Sequence, residues 1–105
     1  MNKVYNKLVR DNIPEIIKNN GEIPEIEILD DETYYKKLQE KLVEEVNEYI
    51  VDDDTNEIAD VLEVIYAILK FKNVNINEIE DIRKNKLLKR GGFNKKIFLK
   101  QTTEK

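Results

Sequence analysis

The stretch EEVNEYIVDDDTNEIAD, residues 44–60, decides how this chain folds. Its middle, Val51-Asp52-Asp53-Asp54, is a run of turn-forming acids, and apolar residues recur at helical spacing on both sides. Upstream, Leu38, Leu42 and Tyr49 form one stripe, and Glu45 falls inside it at about 100° of rotation per residue. Downstream, Val61, Val64 and Ile68 form a second stripe, which contains Glu57. The pattern predicts two antiparallel helical arms joined by a tight turn, a helical hairpin. In that register, residues whose numbers sum to about 105 face one another, so Glu48 meets Glu57 and Glu45 meets Asp60. Glu45 and Glu48 are spaced i, i+3, as are Glu57 and Asp60, so each pair shares one side of its helix.

Four carboxylates at one level of a hairpin are chemically informative because two of them intrude on apolar stripes. Glu48 and Asp60 fall at the stripe edges. An ionised carboxylate directed at an apolar face is costly to bury unless a cation or another partner compensates it. A hard divalent ion with oxygen ligands fits, and magnesium takes a few carboxylates while keeping waters and substrate phosphates. The competing reading is a solvated acidic surface, since 38% of the residues are charged. Glu57 also has a local explanation, because Asp54-Thr55-Asn56-Glu57 has the spacing of a capping box.

With 105 residues and a formal net charge of -4, the chain has room for one domain, residues 1–105, with a modest core that self-association would extend. Acids and bases are interspersed, which argues against general nucleic-acid binding through a strongly basic surface. The absence of cysteine excludes disulfides, thiolate zinc sites and cysteine nucleophiles. The absence of histidine removes the commonest general base. Catalysis would therefore use carboxylates, lysines, tyrosines, hydroxyls or a metal. No signal-peptide h-region or transmembrane run stands out, so a cytoplasmic location and no membrane partner are expected.

Outward from the hairpin, Met1 to Leu8 reads as an extended or irregular lead-in. Ile13, Ile16 and Ile17 predict a short helix within Val9 to Asn20, with Pro14 in its first turn and Asn20-Gly21 as its stop. Glu25-Ile26-Glu27-Ile28-Leu29 alternates with period two and predicts a short strand. Asp30 or Asp31 can cap the long arm, which runs to about Ile50, and the second arm runs from about Thr55 to Lys72. Asn75 with Glu78 marks the start of a further helix that reaches Arg90, where Gly91-Gly92 ends it. Residues 96–100, with Ile97, Phe98 and Leu99, suggest a second short strand, and residues 101–105 a frayed tail. The expected fold is mainly all-α, a helical bundle built on the hairpin, with minor strands near residues 25–29 and 96–100.

Basic residues form two groups. Arg83, Lys86 and Arg90 make a cationic stripe along the last helix, and Lys7 with Arg10 makes a smaller cluster near the start. Either group can hold phosphate oxygens that an acidic metal site alone would repel. The stripe near Arg90 also complements the dipole of its helix without any ligand. Gly91-Gly92 lacks the Lys-Ser/Thr continuation of a P-loop. Tyr34, Tyr35, Tyr49 and Tyr66 suit a core or an interface, or one of them a nucleobase pocket.

At these residues the chain resembles a known family. Glu44-Glu45-Val46-Asn47-Glu48 matches the EExxE signature, and Glu57-Ile58-Ala59-Asp60 the ExxD signature, of the all-α, MazG-like nucleoside triphosphate pyrophosphohydrolases. Residues 5–17 (YNKLVRDNIPEII) and 89–93 (KRGGF) look like the ends of small stand-alone members described as similar to phosphoribosyl-ATP pyrophosphohydrolase. The resemblance covers nearly the whole chain. The turn departs from the broader group in being short, with eight residues between Glu48 and Glu57.

The resemblance implies magnesium-dependent hydrolysis of a nucleoside triphosphate to a monophosphate and pyrophosphate, in the manner of nucleotide-pool house-cleaning. By carry-over, Glu45, Glu48, Glu57 and Asp60 would ligate magnesium, or manganese in its place. Glu44 would orient or deprotonate the attacking water, with Glu45 beside it in the catalytic pair. Lys7, Arg10, Arg83, Lys86 and Arg90 would bind substrate phosphates. The family also implies a homodimer or larger homo-oligomer. A histidine-pathway enzyme acting on phosphoribosyl-ATP is the alternative with the same chemistry. A non-catalytic helical dimerisation module is the alternative of another class.

Overall fold

Two consecutive aspartates make the turn on which the hairpin depends. In the computed structural model, which describes residues 2–105, the helices are α1 (Ile13–Asn19), α2 (Asp31–Asp52), α3 (Thr55–Phe71) and α4 (Ile76–Arg90). α2 stops where Asp53 enters the left-handed region, at φ 50° and ψ 38°, a conformation that short polar side chains tolerate. Its amide donates to the Tyr49 carbonyl at 2.7 Å. Asp54 returns to extended backbone and caps α3, its carboxylate accepting from the Asn56 amide at 2.9 Å. The Asp54 carboxylate takes the Asn56 amide and not that of Glu57, and Glu57 makes no return bond to the Asp54 amide, so the capping box is not formed.

The other helix ends follow the same local chemistry. The Asp30 carboxylate accepts from the Thr33 amide at 2.7 Å and so starts α2. Asn75 does the same for α4 through the Asn77 amide at 2.8 Å. α1 begins at Ile13, later than Val9, because Pro14 is accommodated only in the first turn. It ends in a Schellman motif: Gly21, at φ +86°, donates to Lys18, and Glu22 donates to Ile17.

The chain divides into two compact units, residues 1–73 and 74–105; Met1 itself lies outside the described residues. In the first, α2 and α3 pack along their length as the hairpin. Leu38, at 2% exposure, and Val64, at 8%, are its best-buried apolar side chains. The open end of the hairpin is closed by aromatic rings: Phe71 stacks on Tyr35 with centroids 5.1 Å apart and meets Tyr34 edge-on at 5.8 Å. Tyr34 and Phe71 sum to the same number as Glu45 and Asp60, so one register holds from the turn to the far end. The second unit consists of α4 and the segment after it.

The two predicted strands are not formed. Residues 25–29 and 96–100 have no regular secondary structure, and there is no strand among the described residues. Alternation gives a segment an apolar face, but a strand also needs a neighbour for its amides and carbonyls. Here Ile26, Ile28, Ile97, Phe98 and Leu99 remain exposed. No helix among the described residues is long and apolar enough to cross a membrane.

Candidate metal centre

The hairpin register brings Glu45, from the middle of α2, to Glu57 and Asp60, from the first turns of α3. Carboxylate oxygens of these three lie within 4.8 Å of one another. Glu45 is the buried member, at 7% exposure, while Glu57 and Asp60 are half-buried. One of its oxygens, Oε2, is sealed from solvent and has no hydrogen-bond partner. A buried carboxylate oxygen that the protein's own groups leave unpaired is costly, which makes this atom a candidate ligand for a cation.

Glu48, one turn on from Glu45, stands beside this triad. Its pKa is raised, first by a proton it can share with Glu45, then by burial and the charges of Glu45 and Glu44. Glu57 is pushed up to about 7, first by loss of water around its carboxylate, then by Glu48, Asp52 and Asp60. In both, burial and neighbouring acids act in the same direction against the charged form. The donor set is entirely carboxylate oxygen, which suits a hard divalent cation such as magnesium or manganese, and the bare Oε2 supplies a ligand atom with no competing partner.

Three cations already border the cluster. The Arg10 guanidinium donates to Asp60 Oδ1 at 2.7 Å and Lys7 to Glu44 Oε1 at 3.2 Å, tying the segment before α1 to both arms of the hairpin. Lys41, one turn before Glu44, reaches Glu44 Oε2 at 2.8 Å and Glu45 Oε1 at 3.2 Å. Glu44 is therefore bound at both oxygens. Lys41, and then Lys7, hold its carboxyl below the usual glutamate range against the opposing effect of burial. Burial works against the charge on Lys41 as well, but its bonds to Glu44 and Glu45 outweigh this and raise its pKa. A cavity of about 280 Å3, lined by Lys7, Leu8, Lys37, Glu40, Lys41 and Glu44, adjoins these residues.

Of the predicted phosphate ligands, Lys7 and Arg10 thus lie at the acidic cluster. Arg83, Lys86 and Arg90 lie on α4 in the second unit, where Arg83 forms a bidentate pair with Glu80 at 2.7 to 3.2 Å. That pair holds Glu80 below its ordinary pKa and raises Arg83. Lys41 was not among the sequence candidates. Its signal was present, since a lysine three and four residues before two glutamates is an i, i+3 and i, i+4 pair on one helix face.

A 42-residue stretch is 50% identical to an uncharacterized protein of Mycolicibacterium smegmatis, taking in 40% of this chain. The chain spans 43% of that relative's length. No family model matches the chain, and no solved structure matches it.

Proposed function

We propose that the chain is a divalent-cation-dependent nucleotide pyrophosphohydrolase of the MazG-like type, converting a nucleoside triphosphate to its monophosphate and pyrophosphate. The observation that carries this reading is Glu45: a buried carboxylate with a bare oxygen, 4.8 Å or less from carboxylates of Glu57 and Asp60. A purely solvated acidic surface would leave no such atom. EExxE and ExxD, the two motifs that suggested the family, contribute the residues of that cluster.

Glu45, Glu57 and Asp60 would hold magnesium, or manganese, with Glu48 completing the set beside them. A cation held there would supply Lewis-acid neutralisation of negative charge on a substrate's phosphates. Arg10 and Lys7 neutralise Asp60 and Glu44 in the metal-free protein and are placed to turn to phosphate oxygens instead. Glu44, held ionised between two lysines, orients this cationic rim and, once a lysine turns to phosphate, has an oxygen for the attacking water.

Self-association belongs to the same proposal. Val43, Val46 and Ile50 on α2, with Ile58 and Leu62 on α3, are exposed. Helical rotation puts them on the flank opposite Glu44 and Asp60. An apolar flank on a hairpin this small suits a second copy of the chain, giving a four-helix arrangement with the acidic clusters facing outward.

The test is a substrate panel. Purified protein with magnesium is offered the nucleoside triphosphates and phosphoribosyl-ATP, and pyrophosphate is measured against orthophosphate. Pyrophosphate release that needs both magnesium and Asp60 supports the proposal, and the ranking separates a triphosphate substrate from phosphoribosyl-ATP. Intact folding with no turnover and no cation binding at millimolar concentration would favour the non-catalytic dimerisation module.

A further inference from the structure

Lys41 is the most enclosed cation at the acidic cluster, its side chain 17% exposed, against 57% for Arg10 and 43% for Lys7. It binds one oxygen of Glu44 and one of Glu45, and the Glu45 oxygen it leaves alone is the buried Oε2. We propose that Lys41 is a positioning residue: it fixes Glu45 through Oε1 and thereby presents Oε2 to a divalent cation. This rests on the cation-site reading above and assigns that site a supporting residue.

Two effects of Lys41 oppose each other, and their signs differ. As a charge, an ammonium about 3 Å from a carboxylate ligand repels an incoming cation, so its removal would tighten binding. As a support, it is the cation that pairs with a carboxylate largely sealed from solvent. Without it, the buried Glu45 carboxylate loses its cationic partner and the contact that fixes its orientation, which withdraws a ligand. Burial decides between them. The side chain of Glu45 is 9% exposed, so solvent cannot replace the lost partner. Arg10 offers the contrast, because Asp60, its partner, has a 40% exposed side chain that water can serve.

The measurement is binding of manganese alone to the metal-free full chain, read from the electron paramagnetic resonance signal of the free ion. Lys41→Met keeps the aliphatic stem and removes the ammonium. It is expected to weaken manganese binding by roughly 10- to 100-fold, the usual effect of removing a partner that orients a metal ligand. Lys41→Arg is expected to restore most of the affinity. Arg10→Gln, which removes the same unit of charge from the exposed side of the cluster, is expected not to weaken binding. Circular dichroism checks each variant, and Lys41→Gln stands in if the methionine variant does not fold. Native protein that binds manganese while both Lys41→Met and Lys41→Gln bind it as tightly or more tightly would overturn this proposal alone. Native protein that binds no manganese would overturn the cation site and this proposal together.

Discussion

Cation binding at neutral pH should expel a proton, chiefly from Glu57. Loss of water, and then crowding by Glu48, Asp52 and Asp60, lift this carboxyl from 4.5 to about 7. With that value Glu57 is about 90% protonated at pH 6, about half at pH 7 and about 10% at pH 8. A divalent cation binds the ionised form, so each cation should displace about 0.9, 0.5 and 0.1 protons at those three pH values. Glu48, shifted in the same direction, adds to the count. Isothermal titration calorimetry of magnesium or manganese, run at each pH in two buffers of different ionisation enthalpy, gives the proton number directly. The same shift fixes how stability depends on pH. The folded metal-free protein holds this proton more tightly than the unfolded chain, so the contribution is full below pH 4.5 and is lost as pH rises from 4.5 through 7. Saturating cation should remove that decline. Proton release near zero at both pH 6 and pH 7 would refute the crowded-carboxylate reasoning.

Three further outcomes are expected. Asp60→Asn should abolish pyrophosphate release and weaken cation binding while far-ultraviolet circular dichroism remains that of the native helices, because Asp60 is half-buried and its partner Arg10 is exposed. Leu38→Ala, at the best-buried apolar position of the hairpin, should cost about 2–4 kcal/mol in a urea melt, as a large-to-small change in a core that partly closes around the gap. Ile50→Lys with Ile58→Lys should shift the sedimentation mass toward the monomer, since both residues sit on the exposed apolar flank, and leave cation affinity of the folded hairpin within about twofold.

The hairpin was legible because helical periodicity and turn chemistry are local. Leu38, Leu42, Val61 and Val64 announce the two stripes, and the aspartates between the arms fix the register that Tyr34 and Phe71 then repeat at the far end. Helix boundaries were legible for the same reason: Asp30, Asp54 and Asn75 bind amides two or three residues on, and Gly91 ends α4 with φ at 81°. The register alone places Glu45 against Asp60. What stayed hidden depends on contacts distant in sequence. Alternation at 25–29 cannot tell whether a neighbouring strand exists, and there is none among the described residues. The pairing of Arg10 with Asp60 spans 50 residues, and no spacing rule reaches that far. Lys41 is a different case, a local pair whose importance emerges only from the burial of Glu45.

The most direct test of the central claim is a phosphorus magnetic resonance spectrum of the chain with magnesium and its best nucleoside triphosphate, followed over time beside Asp60→Asn. Nucleoside monophosphate and pyrophosphate growing together, with neither in the Asp60→Asn sample nor without magnesium, is the predicted result. Diphosphate with orthophosphate, or an equal rate in the Asp60→Asn sample, would contradict it.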